Sequence, residues 1–265
     1  MFRLVWFQHV HKAAGSSVIN QAIANGETLY PNHKNGNPCS PDGEEIPVWE
    51  FEENELSAFI DGCEAGGITF VATEWGSPNY QVLHNDTRVV LVTCIREPWS
   101  RLISNYNYDY YFGYSDSPSL SSYLTADNRI RMDNYLVRVF SDEFHSDTEE
   151  IRPETLDSAL DNLKLFDLVL IAERDGDLNS HLFKALGWEG KSVDSHQTFG
   201  NLWALSSLLL GLRIIAAMNY LLKRKRKVTE DDRRAFNELS EMEQSFYRKA
   251  TEDCVRGRLH PLHSH

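Results

Sequence analysis

Cysteine is scarce in this 265-residue chain, and its placing excludes more than it suggests. Cys39, Cys63, Cys94 and Cys254 are scattered without CxxC spacing, which speaks against a zinc site or a redox pair and leaves reduced thiols as the reading. Positive charge is short as well. With 26 Lys and Arg against 39 Asp and Glu the formal net charge is −13. General nucleic-acid and polyanion binders carry a basic excess that displaces counterions, so that class is disfavoured and any anion site has to be built locally. No cluster of Asp, Glu or His with metal-ligand spacing stands out, and no metal requirement is expected. The opening run Phe2-Arg3-Leu4-Val5-Trp6-Phe7 is too short for a signal peptide and lacks a small-residue cleavage site, so a cytoplasmic chain is expected. Internal repeats are absent, and a hydrophobic content of 42% suffices for one sizeable core, which predicts a single domain over 1–265.

What is present is an alternation of strand and helix patterns. Leu4 to His9 is an apolar run of strand length, and Ser16 to Ala24 follows as a helix. Residues Thr28 to Pro47 have loop chemistry, and Glu50 to Ala65 reads as an acidic helix; the stretch 28–66 is thus an insert, placed near an acceptor pocket. Ile68 to Thr73 and Arg88 to Cys94 are strands, the second apolar enough to be central and covered on both faces. Helices are predicted at Ser100 to Tyr111, Arg129 to Phe140 and Leu156 to Leu163. A strand at Phe166 to Ile171 and a helix from Asp177 to Leu186, ended by Gly187, complete the alternation. This order predicts an α/β fold with a P-loop-like parallel sheet flanked by helices, and ligands at the carboxyl ends of the strands.

Two segments carry candidate chemistry. His9-Val10-His11-Lys12-Ala13-Ala14-Gly15-Ser16-Ser17 falls at the first strand-to-helix turn. Small residues there let backbone N–H groups approach an anion at a helix N-terminus; Ser16 and Ser17 offer hydroxyls, and Lys12 a mobile cation. Helix capping by Ser16 is the plainer alternative. The lysine precedes the lone glycine, unlike GxxxxGK[ST], which disfavours a kinase or NTPase. The second segment, Cys94-Ile95-Arg96-Glu97-Pro98-Trp99-Ser100-Arg101-Leu102-Ile103-Ser104-Asn105-Tyr106, places Arg96 at a strand end and Ser104 two turns into a helix, both able to reach one phosphate. A surface ion pair of Arg96 with Glu97, or of Arg101 with a neighbour, is the plainer alternative here.

Together, HVHKAAGSSV and CIREPWSRLISNY resemble the two donor-binding segments of PAPS-dependent sulfotransferases (PAPS is 3′-phosphoadenosine-5′-phosphosulfate), particularly the carbohydrate-type group, whose first segment reads approximately HIPKTGGTS. The resemblance continues through Asp133 to Arg138, Phe166 to Arg174 and Glu243 to Tyr247, covering roughly half the chain in separated blocks. It implies the sulfotransferase fold and PAPS as co-substrate. Lys12, Ala14, Gly15, Ser16 and Ser17 would hold the 5′-phosphosulfate, and Arg96 and Ser104 the 3′-phosphate, with Arg138 as a further donor-binding residue.

His11 departs from the family's proline, and Ala13-Ala14 from its Thr followed by Gly or Ala. A solvent-facing ring is the expectation for His11. Where many members have a base histidine, this chain has Thr73-Glu74-Trp75-Gly76. Glu74 is therefore the candidate base, expected to be partly desolvated against Trp75 with its pKa raised toward neutrality. His9, His11 and His84 are the substitutes, His9 reading better as a core or edge histidine.

Leu202 to Leu222 is apolar on nearly all sides and is followed by Lys223-Arg224-Lys225-Arg226-Lys227. Arg213 and Asn219 within it favour a buried helix or an oligomer contact over a membrane span or membrane-surface contact through 202–227. The basic run reads as a solvated helix end, with a lid over the donor as the alternative. Thr229 caps a last amphipathic helix carrying Leu239, Phe246 and Tyr247. The acidic surface favours a small-molecule, lipid or neutral glycan acceptor, through a hydroxyl or an amine, and Tyr106 to Phe112 either stacks on it or packs in the core. A kinase-like phosphoryl transferase and a non-catalytic, membrane-associated nucleotide-binding module are the alternatives.

Overall fold

The computed structural model describes residues 2–126, 133–141, 143–144, 151–173, 178–188 and 227–255. Four apolar runs become the parallel strands β1 (Leu4–Gln8), β4 (Phe70–Thr73), β5 (Val89–Ile95) and β6 (Leu168–Ile171), in the order β4-β1-β5-β6. Alternation along β1 explains why it lies inside. Leu4 and Trp6 join the core on one face, Val5 and Phe7 the core on the other, and all are fully buried. A strand apolar on both faces is stable only with helices on both sides. One face is covered by α1 (Gly15–Ala24) through Val18, Ile19 and Ala22, together with α8 (Leu178–Leu186). On the other face lie α2 (Glu53–Gly66), α3 (Tyr80–Asn85), α4 (Pro98–Phe112), α5 (Leu120–Leu124), α6 (Tyr135–Phe140) and α7 (Pro153–Leu163). They are joined there by α9 (Glu230–Leu239) and α10 (Glu241–Val255). The α/β class and the strand runs are as expected from the sequence.

Several expectations are corrected. The helix expected from Arg129 starts at Tyr135, because Asn134 takes a left-handed conformation (φ 48°) just before it; 127–132 lie outside the described residues. The single terminal helix is two, broken at the buried Ser240, whose N–H bonds the Phe236 carbonyl as a helix end. The Thr229 cap is present, its hydroxyl accepting from the Asp232 N–H. Leu239, expected on the apolar face, is 45% exposed. Residues 202–222, with the basic run to Lys227, fall outside the described residues but for Lys227 itself. Among the described residues no helix is long and apolar enough to cross a membrane.

The stretch read as loop holds a hairpin, β2 (His33–Lys34) and β3 (Asn37–Pro38), closed by Asn35 and Gly36 at φ 51° and 85°. Both values lie in the left-handed region that two-residue hairpin turns require. The hairpin covers the outer edge of β4, where Gly36 accepts from the Ala72 N–H at 3.0 Å. Its approach is so close that a Cβ on Gly36 would lie 2.8 Å from that of Ala72.

Candidate functional site

Register decides what meets at the carboxyl ends of the strands. Gln8 of β1 pairs with Thr73 of β4 and Thr93 of β5, so β1 and β4 end at one level while β5 runs two residues further, to Ile95. On the β4 side this places Glu74 beside His9 and His11. On the β5 side Arg96 emerges next to the β1–α1 turn, and Ala172 bonds the Ile95 carbonyl so that Glu173 arrives from β6. The floor is polar and buried: Thr93 donates to the Gln8 carbonyl at 2.9 Å, and the Gln8 amide to Gly76 at 3.2 Å.

The turn itself is strained. Lys12 and Ala14 are both left-handed, with φ 63° and 62°, a conformation that costs a non-glycine residue roughly 1–2 kcal/mol. Gly15 is required for a different reason. The imidazole of His9 lies against it, and a Cβ there would be 1.8 Å from two ring atoms. Among the described residues no side chain caps α1, and Ala14 occupies the N-cap, so Ser16 is not the cap that the plainer reading supposed. Ser16 is exposed and Ser17 half-buried, both on the first turn of the helix. A helix N-terminus that no described side chain caps is suited to an anion. Ala14→Gly should remove strain at the loss of only one partly buried methyl. A midpoint of thermal unfolding higher by about 2–4 °C, for about 1 kcal/mol, is expected.

Lys12 is half-buried, its ammonium 3.9 Å from the centre of the Tyr108 ring on α4. Burial lowers its pKa to about 8, against the opposing pull of Asp109 and Glu74 and with further lowering by Arg96. Arg96 donates from Nη1 to the Lys12 carbonyl at 3.2 Å and from Nε to Glu173 at 3.3 Å; its Nη2 makes no hydrogen bond among the described residues. The ion pair supposed with Glu97 is replaced by Glu173, while Glu97 caps α4 through the Trp99 and Ser100 N–H groups. Tyr247 of α10 also donates to Glu173, at 3.1 Å. Ser104, half-buried on α4, makes no hydrogen bond among the described residues.

Glu74 is 6% exposed and sits at the centre of a polar cluster. His11 Nδ1 lies 2.7 Å from Oε1, and His9 Nδ1 is 3.6 Å from Oε2. The insert contributes Asn37, whose side-chain oxygen accepts from the Glu74 N–H at 2.7 Å, and Asn35, which is 3.4 Å from His9 Nδ1. Burial alone would push the Glu74 carboxyl up. His9, His11 and Asn35 outweigh it and hold the group well below the usual carboxylate range, the reverse of the rise expected from the sequence. His9 is buried, which depresses its pKa, and its packing on Gly15 matches the core reading. His84 is exposed on α3 and contacts the Leu165 carbonyl. His11, expected to face solvent, is only 15% exposed at its side chain.

Lys12, Ala14, Gly15, Ser16, Ser17, Arg96 and Glu74 therefore converge on one end of the sheet. Arg138 does not join them: its guanidinium is buried and held by Asp133 at 2.6 Å and by the Glu143 carbonyl. Sequence reasoning passed over Tyr135, whose hydroxyl accepts from the His11 N–H at 3.2 Å, and over Tyr108 and Glu173 as parts of this end. Their sequence blocks were visible, but nothing in the spacing pointed at the turn. No protein-family model matches this chain, and no curated protein matches it.

Proposed function

We propose that this chain is a PAPS-dependent sulfotransferase, moving a sulfuryl group to a hydroxyl or amine of a small-molecule, lipid or glycan acceptor. The observation that carries the reading is the joined pair of anion-binding elements. The strained β1–α1 turn with Lys12 stands on one strand, and Arg96, bonded to the Lys12 carbonyl and with Nη2 unpaired among the described residues, on the next. The donor carries two anionic groups, and these residues suit it. Lys12 and the first turn of α1 would hold the 5′-phosphosulfate; Arg96 and Ser104 would hold the 3′-phosphate. A parallel sheet with this turn after an interior strand is the frame that the sulfotransferase fold would supply. When the sulfuryl group leaves in line, Lys12 neutralises the charge that develops on the bridging oxygen, and fixed positioning does most of the work.

Thermal unfolding with PAP, the desulfated donor product, tests this. At about a hundredfold over Kd the fold gains about 2.7 kcal/mol, a rise of roughly 5–10 °C. Lys12→Ala and Ser104→Ala should each reduce the rise. A response to ATP·Mg²⁺ alone would favour the kinase-like reading, and no response to either would overturn the donor site. The pH dependence has a defined sign. Lys12 gives up its proton near pH 8 in the folded chain but near 10.5 when unfolded, so the unliganded fold gains stability with rising pH across that window. An anion reverses this by recharging Lys12. PAP affinity should fall above pH 8, by up to about tenfold per pH unit.

A further inference from the structure

Near the Lys12 ammonium the acidic and basic groups are not equivalent. Glu74 is nearly enclosed, both its oxygens facing histidines and its backbone N–H tied to Asn37. A carboxylate so occupied has little left with which to take a proton from an acceptor. His11 has the opposite disposition. Nδ1 is bound to Glu74, the main-chain N–H to the Tyr135 hydroxyl, and Nε2 makes no hydrogen bond among the described residues. The ring stands edge-on to Tyr108 at 6.1 Å between centroids and is 6.3 Å from Trp75. The same Tyr108 ring carries the Lys12 ammonium at 3.9 Å, so the imidazole and the ammonium share one aromatic wall.

We propose that His11, aligned by Glu74, is the catalytic base of this chain, and that the acceptor it serves is a hydroxyl. The assignment rests on the sulfotransferase reading and goes further by naming the proton acceptor and the acceptor group. Glu74 accepts from Nδ1–H, which fixes the tautomer and leaves the Nε2 lone pair for the substrate. As the acceptor oxygen forms its bond to sulfur, its proton passes to Nε2. The bond from sulfur to the bridging oxygen breaks and leaves its electron pair on that oxygen beside Lys12. The imidazolium formed is stabilised by Glu74, which stays ionised throughout. A hydroxyl needs such a base because it is a poor nucleophile until its proton is removed, whereas a neutral amine attacks without one. Glu74 is thus a positioning residue.

The test uses the full chain with ¹⁵N-labelled histidine, read by ring-nitrogen correlation spectra with and without PAP, His11→Asn serving to assign the signals. The expected spectrum has His11 protonated at Nδ1 and bare at Nε2, with signals that move when PAP binds; Glu74→Gln should redistribute the proton between the two nitrogens. Release of PAP from PAPS, with water as the acceptor, should fall on the order of 100-fold in His11→Asn, while the thermal response of that variant to PAP is kept. A proton on Nε2, His11 signals indifferent to bound PAP, or wild-type PAP release by His11→Asn would each overturn the assignment. Failure of PAP to stabilise the wild-type chain is a different result, and would overturn the donor site on which it rests.

Discussion

Replacing Gly15 by alanine should abolish the response to PAP and lower the unfolding midpoint by on the order of 5–10 °C. The added methyl has nowhere to go. It would sit 1.8 Å from Cδ2 and Nε2 of His9, far inside contact distance. The ring cannot easily retreat, since it is stacked on Phe7 with centroids 5.6 Å apart and lies 3.6 Å from Glu74. Either the imidazole leaves its place or the start of α1 moves away from β1. Overpacking of this kind costs about 1–3 kcal/mol or more, and each 1 kcal/mol is worth about 2–4 °C in a domain of this size. Both routes shift the turn that carries Lys12. The control is the double variant Gly15→Ala with His9→Ala, which removes the obstructing ring and should recover most of the midpoint. A Gly15→Ala chain as stable as the wild type, with an intact PAP response, would show that the ring is not wedged.

The second large effect is expected far from the turn, at a buried ion pair. Arg101 of α4 and Glu243 of α10 are both fully enclosed, with Nη2 and Oε1 3.4 Å apart. The guanidinium lies 4.0 Å over the Tyr135 ring, and Glu243 also accepts from the Leu136 N–H at 3.4 Å. Burial pushes the Glu243 carboxyl up, and Arg101 and the backbone N–H groups of Leu136 and Tyr135 only partly offset it. A raised carboxyl in the fold means that ionising it costs stability at neutral pH, a cost that disappears as pH falls through the folded value. Pairing therefore does not recover the whole desolvation penalty. Glu243→Ala leaves a buried guanidinium without its counter-charge and should destabilise by about 3–5 kcal/mol, measured by chemical denaturation. Arg101→Leu with Glu243→Met should restore most of that loss, which neither single change does, a coupling that a double-mutant cycle reads directly. Additive losses, with no rescue in the double variant, would contradict the account.

That pair also ties the chain's end to the site. Glu243 holds α10 to α4, Tyr135 lies beneath Arg101, and the Tyr135 hydroxyl receives the His11 N–H. Asn134 adds a clasp, accepting from the Glu243 N–H at 3.1 Å and donating to the Leu239 carbonyl at the same distance. A helix remote in sequence thus supports the backbone at the candidate base.

Much of the architecture was legible without coordinates. Long β-branched runs such as Val89 to Thr93 can satisfy their burial in few ways, so the strands and the α/β class follow from local pattern. The β1–α1 turn was legible too, because Lys, Gly and Ser between an apolar strand and a helix have few other uses. The hairpin at Asn35-Gly36 was missed although its signal was local: that dipeptide supplies the left-handed pair that a two-residue turn needs. The terminal helix was read as one because period alone does not show where Ser240 ends a helix by bonding back to Phe236.

The remainder was decided only by tertiary structure. Whether Glu74 has a raised or a lowered pKa depends on what stands beside it, and only the β1–β4 register, Gln8 against Thr73, brings His9 and His11 there. The fate of each arginine likewise turns on distance: Arg96 reaches the turn, Arg138 is consumed by Asp133, and Arg101 is buried against a glutamate more than a hundred residues away. Secondary structure is set by forces among near neighbours in the chain, which sequence displays. Charge, protonation and catalytic role are set by neighbours in space, which only the folded sheet and its register bring together.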